Sequence, residues 1–295
     1  MLSASWLDYL KSWPLVILPH QLLSRLVRYV TRCPTPWLKN LLIRRFITTF
    51  DVDMGEAELA EPAAYPDFNS FFTRALRAGI RPMPEQADAV ACPVDGSISQ
   101  FGNIASNRLL QAKGSSYSLE ALLGGDTPLA DRFLDGSFIT LYLSPRDYHR
   151  IHMPADGTLL QTTYIPGRLY SVAPHTTRAV PGLFTRNERL VCLFDSVHGP
   201  MAVILVGAIF VSCMETVWSG VVNPRMGMTP HKISYGQADG DRVWLARGEE
   251  LGRFNMGSTV ILLFARNRIA WSDNLASAAT VRTGNPLAYP TTGSK

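Results

Sequence analysis

The sequence is poor in charge and in cysteine. Only 18% of its 295 residues are Asp, Glu, Lys or Arg, while 46% are hydrophobic, so a sizeable core can be buried and neither a disulfide nor a metal is needed for folding. The four cysteines, Cys33, Cys92, Cys192 and Cys213, are widely scattered, and Cys192 and Cys213 sit in apolar runs of the kind that hold buried thiols. That usage fits a reducing compartment. A long apolar run is missing as well. The Met201 to Met214 stretch has 14 residues and is interrupted by Gly207, whereas a helical bilayer crossing needs about 20, so buried strands are expected there. The apolar run after Lys11 is short, contains Pro14 and Pro19 and lacks a small-residue cleavage pattern, which argues against a secretory signal and for a chain that stays in the cytoplasm. No internal repeat is present.

Charge is unevenly placed. Residues 1 to 50 carry seven basic side chains against the single acid Asp8, so this segment is at +6 in a chain of +4. Such an imbalance fits nucleic acid or an acidic lipid surface, and the apolar content decides between them. Leu22, Leu23, Leu26, Val27 and Val30 recur at helical spacing opposite Arg25 and Arg28. Trp37, Leu38, Leu41, Leu42 and Phe46 repeat the pattern, with Lys39, Arg44 and Arg45 assigned to the polar face. Trp6, Trp13 and Trp37 add interfacial aromatics. Together these suit helices lying in the headgroup layer of an anionic membrane, with no nucleic-acid partner. Ordinary helices docked on the main domain are the competing reading.

A further helix is expected near Asp67, a suitable N-cap, carrying Phe68, Phe71, Phe72 and Leu76. From about Val94 the pattern changes to short β-branched and aromatic runs, at residues 138–143, 190–194, 201–211, 242–246 and 259–264, separated by Gly, Pro, Asn and Asp. The expected fold is α+β: an amphipathic helical membrane-association region over 1–85, a β-rich catalytic domain over 86–284, and a loose tail over 285–295.

Three stretches carry the candidate chemistry: Pro93-Val94-Asp95-Gly96, the run from Ser144 to Pro154 containing His149 and His152, and Phe254-Asn255-Met256-Gly257-Ser258-Thr259-Val260. Acid, histidine and serine in that order could form a nucleophile triad. A hydrolase serine, however, sits on a Gly-x-Ser-x-Gly elbow between strand and helix, whereas Ser258 leads into Thr259-Val260-Ile261-Leu262-Leu263-Phe264, which reads as a strand. A serine directly after glycine has another option, because Gly257 offers no side chain to block approach. The Ser258 hydroxyl can add to the Gly257 carbonyl, the peptide rearranges to an ester, and β-elimination cuts the chain. Hydrolysis of the resulting dehydroalanine leaves a pyruvoyl group, whose ketone can form a Schiff base with a substrate amine and accept the electrons released with carbon dioxide.

These blocks resemble the bacterial, pyruvoyl-dependent phosphatidylserine decarboxylases over about Phe50 to Thr283. Supporting segments are Leu110-Gln111-Ala112-Lys113-Gly114, Tyr117 to Leu123, Arg186-Asn187-Glu188-Arg189, Glu215-Thr216-Val217-Trp218 and Gly252-Arg253-Phe254. The family's usual Leu-Gly-Ser-Thr cleavage signature has Met256 in place of leucine here, a swap of similar volume. The resemblance implies self-cleavage between Gly257 and Ser258 and a pyruvoyl cofactor derived from Ser258. It implies that Asp95 orients His152, that His152 is the base acting on Ser258, that His149 assists decarboxylation as an imidazole titrating near neutral pH, and that Ser171 contacts substrate. It further implies phosphatidylserine as substrate and phosphatidylethanolamine as product. It implies as well that a homodimer forms, and the expectation is that the two cleavage fragments stay associated and that the protein sits peripherally on the cytoplasmic face of the inner membrane beside anionic lipids. Metal is not expected, since His149 and His152 lack further ligands at convincing spacing. Arg168, Arg186 and Arg189 are available to a lipid phosphate.

Overall fold

A computed structural model describes residues 5–17, 20–112, 115–209, 213–222, 229–237, 240–255 and 258–291. Four helices come first: α1 (Trp6–Ile17), α2 (His20–Thr31), α3 (Pro36–Phe50) and the short α4 (Phe68–Phe72). Asp67 caps α4 by accepting from the Ser70 N–H at 2.7 Å, as its residue type predicts. Helix α3 opens on Pro36, where the missing N–H costs nothing, and stops at Asp51, which takes the left-handed conformation with φ 55°. Helix α1 runs on past Pro14.

The amphipathic face of α3 is not the one the spacing suggested. Ile43 and Lys39 point inward, and the Lys39 ammonium is satisfied by Asn40 Oδ1 and the Ala63 carbonyl. Trp37 and Leu41, placed in the apolar stripe, are exposed instead, at 70% and 58%. What α3 buries is a small aromatic core in which Phe46 meets Phe68, Phe71 and Phe72 edge-on.

The rest is β-rich and antiparallel. Among the described residues the main sheet runs, from one edge, His231–Ser234, Gly157–Ile165, Arg189–Ser196, Gly199–Gly207, Ser258–Phe264, Ser137–Leu143, Gly96–Asn103, Thr280–Val281, with Trp244–Leu245 also paired to Gly157–Ile165. The Ser258–Phe264 strand is central and buried along its whole length. Its side chains alternate: Val260, Leu262 and Phe264 enter one core, Ile261 and Leu263 the other. Burial on both faces is why this segment reads as one unbroken apolar run. A smaller sheet, ordered Gly220–Val222, Met214–Thr216, Glu250–Phe254, Arg150–His152, packs on the first core through Met214, Ile151, Leu251 and Phe254.

The expected loose tail is corrected. Pro286–Pro290 is a strand between Val90–Ala91 and Ile269–Trp271, with Leu287 and Ala288 fully buried. The prolines at its ends conceal a short apolar strand; residues 292–295 lie outside the described set.

Candidate active site

Ser258 heads the central strand, opposite Leu143 on one side and Gly207 on the other. It is 0% exposed, and its Oγ has no hydrogen-bond partner among the described residues. A buried hydroxyl without a partner is costly. Met256 and Gly257, to which the cleavage expectation refers, lie outside the described residues.

His149 follows the turn that leaves Leu143, the residue paired with Ser258. The chain leaves Leu143, turns at Ser144 with the Ser144 N–H given to Asp147 Oδ2, and returns so that His149 Nε2 meets the Ser144 carbonyl at 3.1 Å. The His149 carbonyl accepts from the Phe254 N–H, and its ring stacks on Phe72 with centroids 4.0 Å apart. Donation from Nε2–H leaves Nδ1 as a lone pair, without a partner among the described residues. Burial, and secondarily the charge of Arg74, push the imidazole down to about 3. A ring titrating near neutrality was expected; with no anion beside it, this one is held neutral.

His152 lies further along the same ladder, opposite Glu250, with its N–H on the Pro93 carbonyl. Its Nδ1 meets the Gly248 carbonyl at 2.8 Å and its Nε2 the Tyr148 hydroxyl at 2.9 Å. That pattern orients the ring as Nδ1–H donor and Nε2 acceptor, the tautomer a general base needs. Asp95 does not hydrogen-bond to it. The Asp95 carboxylate receives Nε and Nη2 of Arg81 and the Thr283 N–H, because a guanidinium fork matches a carboxylate better than one imidazole N–H does. The orienting contact expected of Asp95 is made by Gly248, in a turn whose φ of +85° suits glycine.

The comparisons now bear on this geometry. The sequence profile described as phosphatidylserine decarboxylase matches residues 68–289, and a shorter one described as PSD matches residues 10–51. The chain belongs to the phosphatidylserine decarboxylase family. Relatives named phosphatidylserine decarboxylase proenzyme include one from Alkalilimnicola ehrlichii, 56% identical over 88% of this chain and 90% of that protein. Others are from Azotobacter vinelandii, 52% identical over 92% and 94%, and Bordetella pertussis, 50% identical over 92% and 91%.

Several parts of this decarboxylase-family site were invisible or misplaced in the sequence. Ser171 follows Tyr170, which Asn187 ties to the Ser258 neighbour Gly207: its amide donates to the Tyr170 and Gly207 carbonyls at 2.9 and 2.8 Å. Ser171 itself is half-buried and accepts from the Ala173 N–H. Arg189 is withdrawn from lipid, since its guanidinium is buried among the carbonyls of Ala121, Leu122, Thr185 and Asn187. Arg168 and Arg186 remain exposed. Asn255 is fully buried and locked by Asn69, Cys213 and Glu215, fixing the chain before Ser258. Tyr148, Asn187 and Asn255 fell within noted motifs, but Arg81 and Gly248 gave no local signal. Among the described residues no group of three or more His, Cys, Asp or Glu side chains is placed to hold a metal ion.

The buried imidazoles predict an acid-sensitive fold. A histidine whose folded value is depressed binds its proton in the unfolded chain first, so its stability contribution is whole above about 6.5 and falls as pH drops toward about 3. Between pH 6.5 and 5, above most carboxylate titrations, His149 alone should cost about 2 kcal/mol. Urea unfolding at the two pH values should show that loss in the natural protein and a smaller one in His149→Gln; equal losses would contradict the buried neutral ring.

Proposed function

We propose that the protein converts phosphatidylserine to phosphatidylethanolamine with a pyruvoyl group made from its own Ser258. The carrying observation is the buried Ser258 hydroxyl, without a partner among the described residues, at the head of a central strand that follows in the chain the Glu250–Phe254 strand on which two oriented neutral imidazoles, His149 and His152, are held. In the processing step a base takes the Ser258 proton, Oγ attacks the Gly257 carbonyl and the acyl group moves from nitrogen to oxygen. Elimination then leaves a carboxylate on Gly257, and water replaces ammonia at the new terminus. His152 is the base, with its Nε2 lone pair shared with the Tyr148 hydroxyl and its ring held by Gly248. Asp95 lends negative charge nearby while bound to Arg81.

Once formed, the pyruvoyl ketone condenses with the substrate amine and takes up the electron pair freed with carbon dioxide. His149 manages protons. Its open Nδ1 accepts one from the incoming ammonium and returns it to the carbon that has lost carbon dioxide. Ser171 contacts the substrate.

The cleaved pieces, 1–257 and 258–295, should remain together. The smaller supplies the central Ser258–Phe264 strand, the Thr280–Val281 edge strand and two strands of the three-stranded sheet. Burial of Val260, Ile261, Leu262, Leu263 and Phe264 contributes on the order of 10 kcal/mol.

The helical region supports attachment to anionic membranes. Trp6, Leu10, Trp13, Leu26, Tyr29, Trp37 and Leu41 are all more than half exposed, and an apolar cleft of about 370 Å³ opens between α2 and α3, lined by Leu26, Val27, Val30, Leu42 and Phe46. No described helix is long and apolar enough to span a bilayer. The protein should float with vesicles containing phosphatidylglycerol at low salt and lose most of that binding in Trp13→Glu/Trp37→Glu; recovery in the soluble fraction with the natural sequence would refute attachment.

The functional test is release of carbon dioxide from phosphatidylserine in detergent micelles, with loss of activity after borohydride reduction in the presence of substrate. An intact chain labelled at Ser258 by a fluorophosphonate would instead indicate a serine hydrolase.

A further inference from the structure

Arg74 is a buried cation with no ion pair among the described residues, although the charges of Asp95, Asp147 and Glu56 reach it. It follows α4 in the run Phe71-Phe72-Thr73-Arg74 and is 4% exposed. Its Nη2 donates to the Arg146 carbonyl at 2.9 Å, and its guanidinium carbon lies 5.6 Å from the Phe71 ring centroid. Nε and Nη1 are buried with no partner among the described residues, and no described carboxylate pairs with it. Other buried guanidinium groups here are fully engaged: Arg81 by Glu56 and Asp95, Arg189 by backbone carbonyls. Leaving donors of a buried cation empty is costly, so this one calls for an explanation.

The side chain lines a cavity of about 290 Å³ shared with Arg81, Arg146 and Arg282 and with the acids Asp51, Asp53, Glu56, Asp95 and Asp147. Of those acids, Asp95 and Glu56 are paired with Arg81, while Asp147 accepts the Ser144 N–H and Asp53 the Gly55 N–H. Arg74 also stands close enough to His149 for its charge to act on that ring, and Phe72, two residues before it, stacks on the same imidazole. An anion taken up by Arg74 would therefore lie beside the proton-handling group.

We infer that Arg74 is the subsite for the phosphodiester of the substrate's head group. This rests on the decarboxylase reading and adds a binding residue to it. Two anions of the substrate could meet a guanidinium. A carboxylate about to leave as neutral carbon dioxide gains nothing in the transition state from a cation that stabilises its ground state. The phosphodiester keeps its charge throughout, and its phosphorus is three bonds from the carbon that His149 serves. The same guanidinium can hold it before and after reaction, and the product keeps it as well.

The test separates the two anions by their carriers. Glycerophosphoethanolamine has the amine and the phosphodiester but no carboxylate; L-serine has the amine and the carboxylate but no phosphate. Each is trapped on the mature enzyme by cyanoborohydride, and adduct formation is followed by mass against concentration. In Arg74→Gln the half-saturating concentration of glycerophosphoethanolamine should rise roughly tenfold or more, the loss of one charged hydrogen-bonding group, while that of serine stays put. A rise for serine alone, for both equally, or for neither overturns the assignment. Should Arg74→Gln not fold or cleave, the natural enzyme decides. Inorganic phosphate must compete with glycerophosphoethanolamine and not with serine, and its failure to do so overturns the subsite. If no amine forms an adduct and the small fragment carries no pyruvoyl mass, the decarboxylase reading itself has failed, a result distinct from all of these.

Discussion

His152→Ala should yield an uncleaved chain of 32.6 kDa. The ring is held at both nitrogens, Nδ1 donating to the Gly248 carbonyl and Nε2 accepting from the Tyr148 hydroxyl, which fixes the tautomer a base needs. Loss of a positioned general base typically costs 10²- to 10⁴-fold in rate, enough to turn a reaction completed during expression into one that is not. Gel electrophoresis and intact mass of the purified variant report this directly. Normal processing would remove His152 from the cleavage step and pass it to His149, whose Nδ1 has no partner among the described residues.

His149→Ala should give the opposite pattern, two fragments of normal mass and decarboxylation lowered by about 10²- to 10⁴-fold. Its open Nδ1 is the position where a proton can be stored between amine and carbon. The substitution also opens a gap against Phe72, so the variant's unfolding midpoint should be measured alongside; a shift there with unchanged turnover would contradict the catalytic role. An uncleaved His149→Ala chain would assign both steps to one histidine.

What could be foreseen in the sequence was what local rules govern. The Asp67 cap, the strand after Ser258 and the buried strand within 201–211 follow from residue type and from runs whose two faces are both covered. The chemistry-bearing residues were legible as short blocks around Asp95, His149, His152 and Ser258. How they connect was not. Asp95 pairs with Arg81 and with the backbone of Thr283, far away in the chain, and Asn255 is held by Asn69 across a similar distance. Such contacts depend on tertiary packing and leave no periodic trace. The α3 stripe failed for a related reason: helical spacing finds an apolar face but cannot tell a face turned to the core from one turned to a membrane, and Lys39 buries its stem and head where the stripe left no room for it.

The measurement that bears most directly on all of this is the mass of the purified, denatured protein. The account predicts two species, residues 1–257 and a 258–295 fragment whose first residue is a pyruvoyl group in place of serine. A single 32.6 kDa polypeptide with an unmodified serine at position 258 would contradict it.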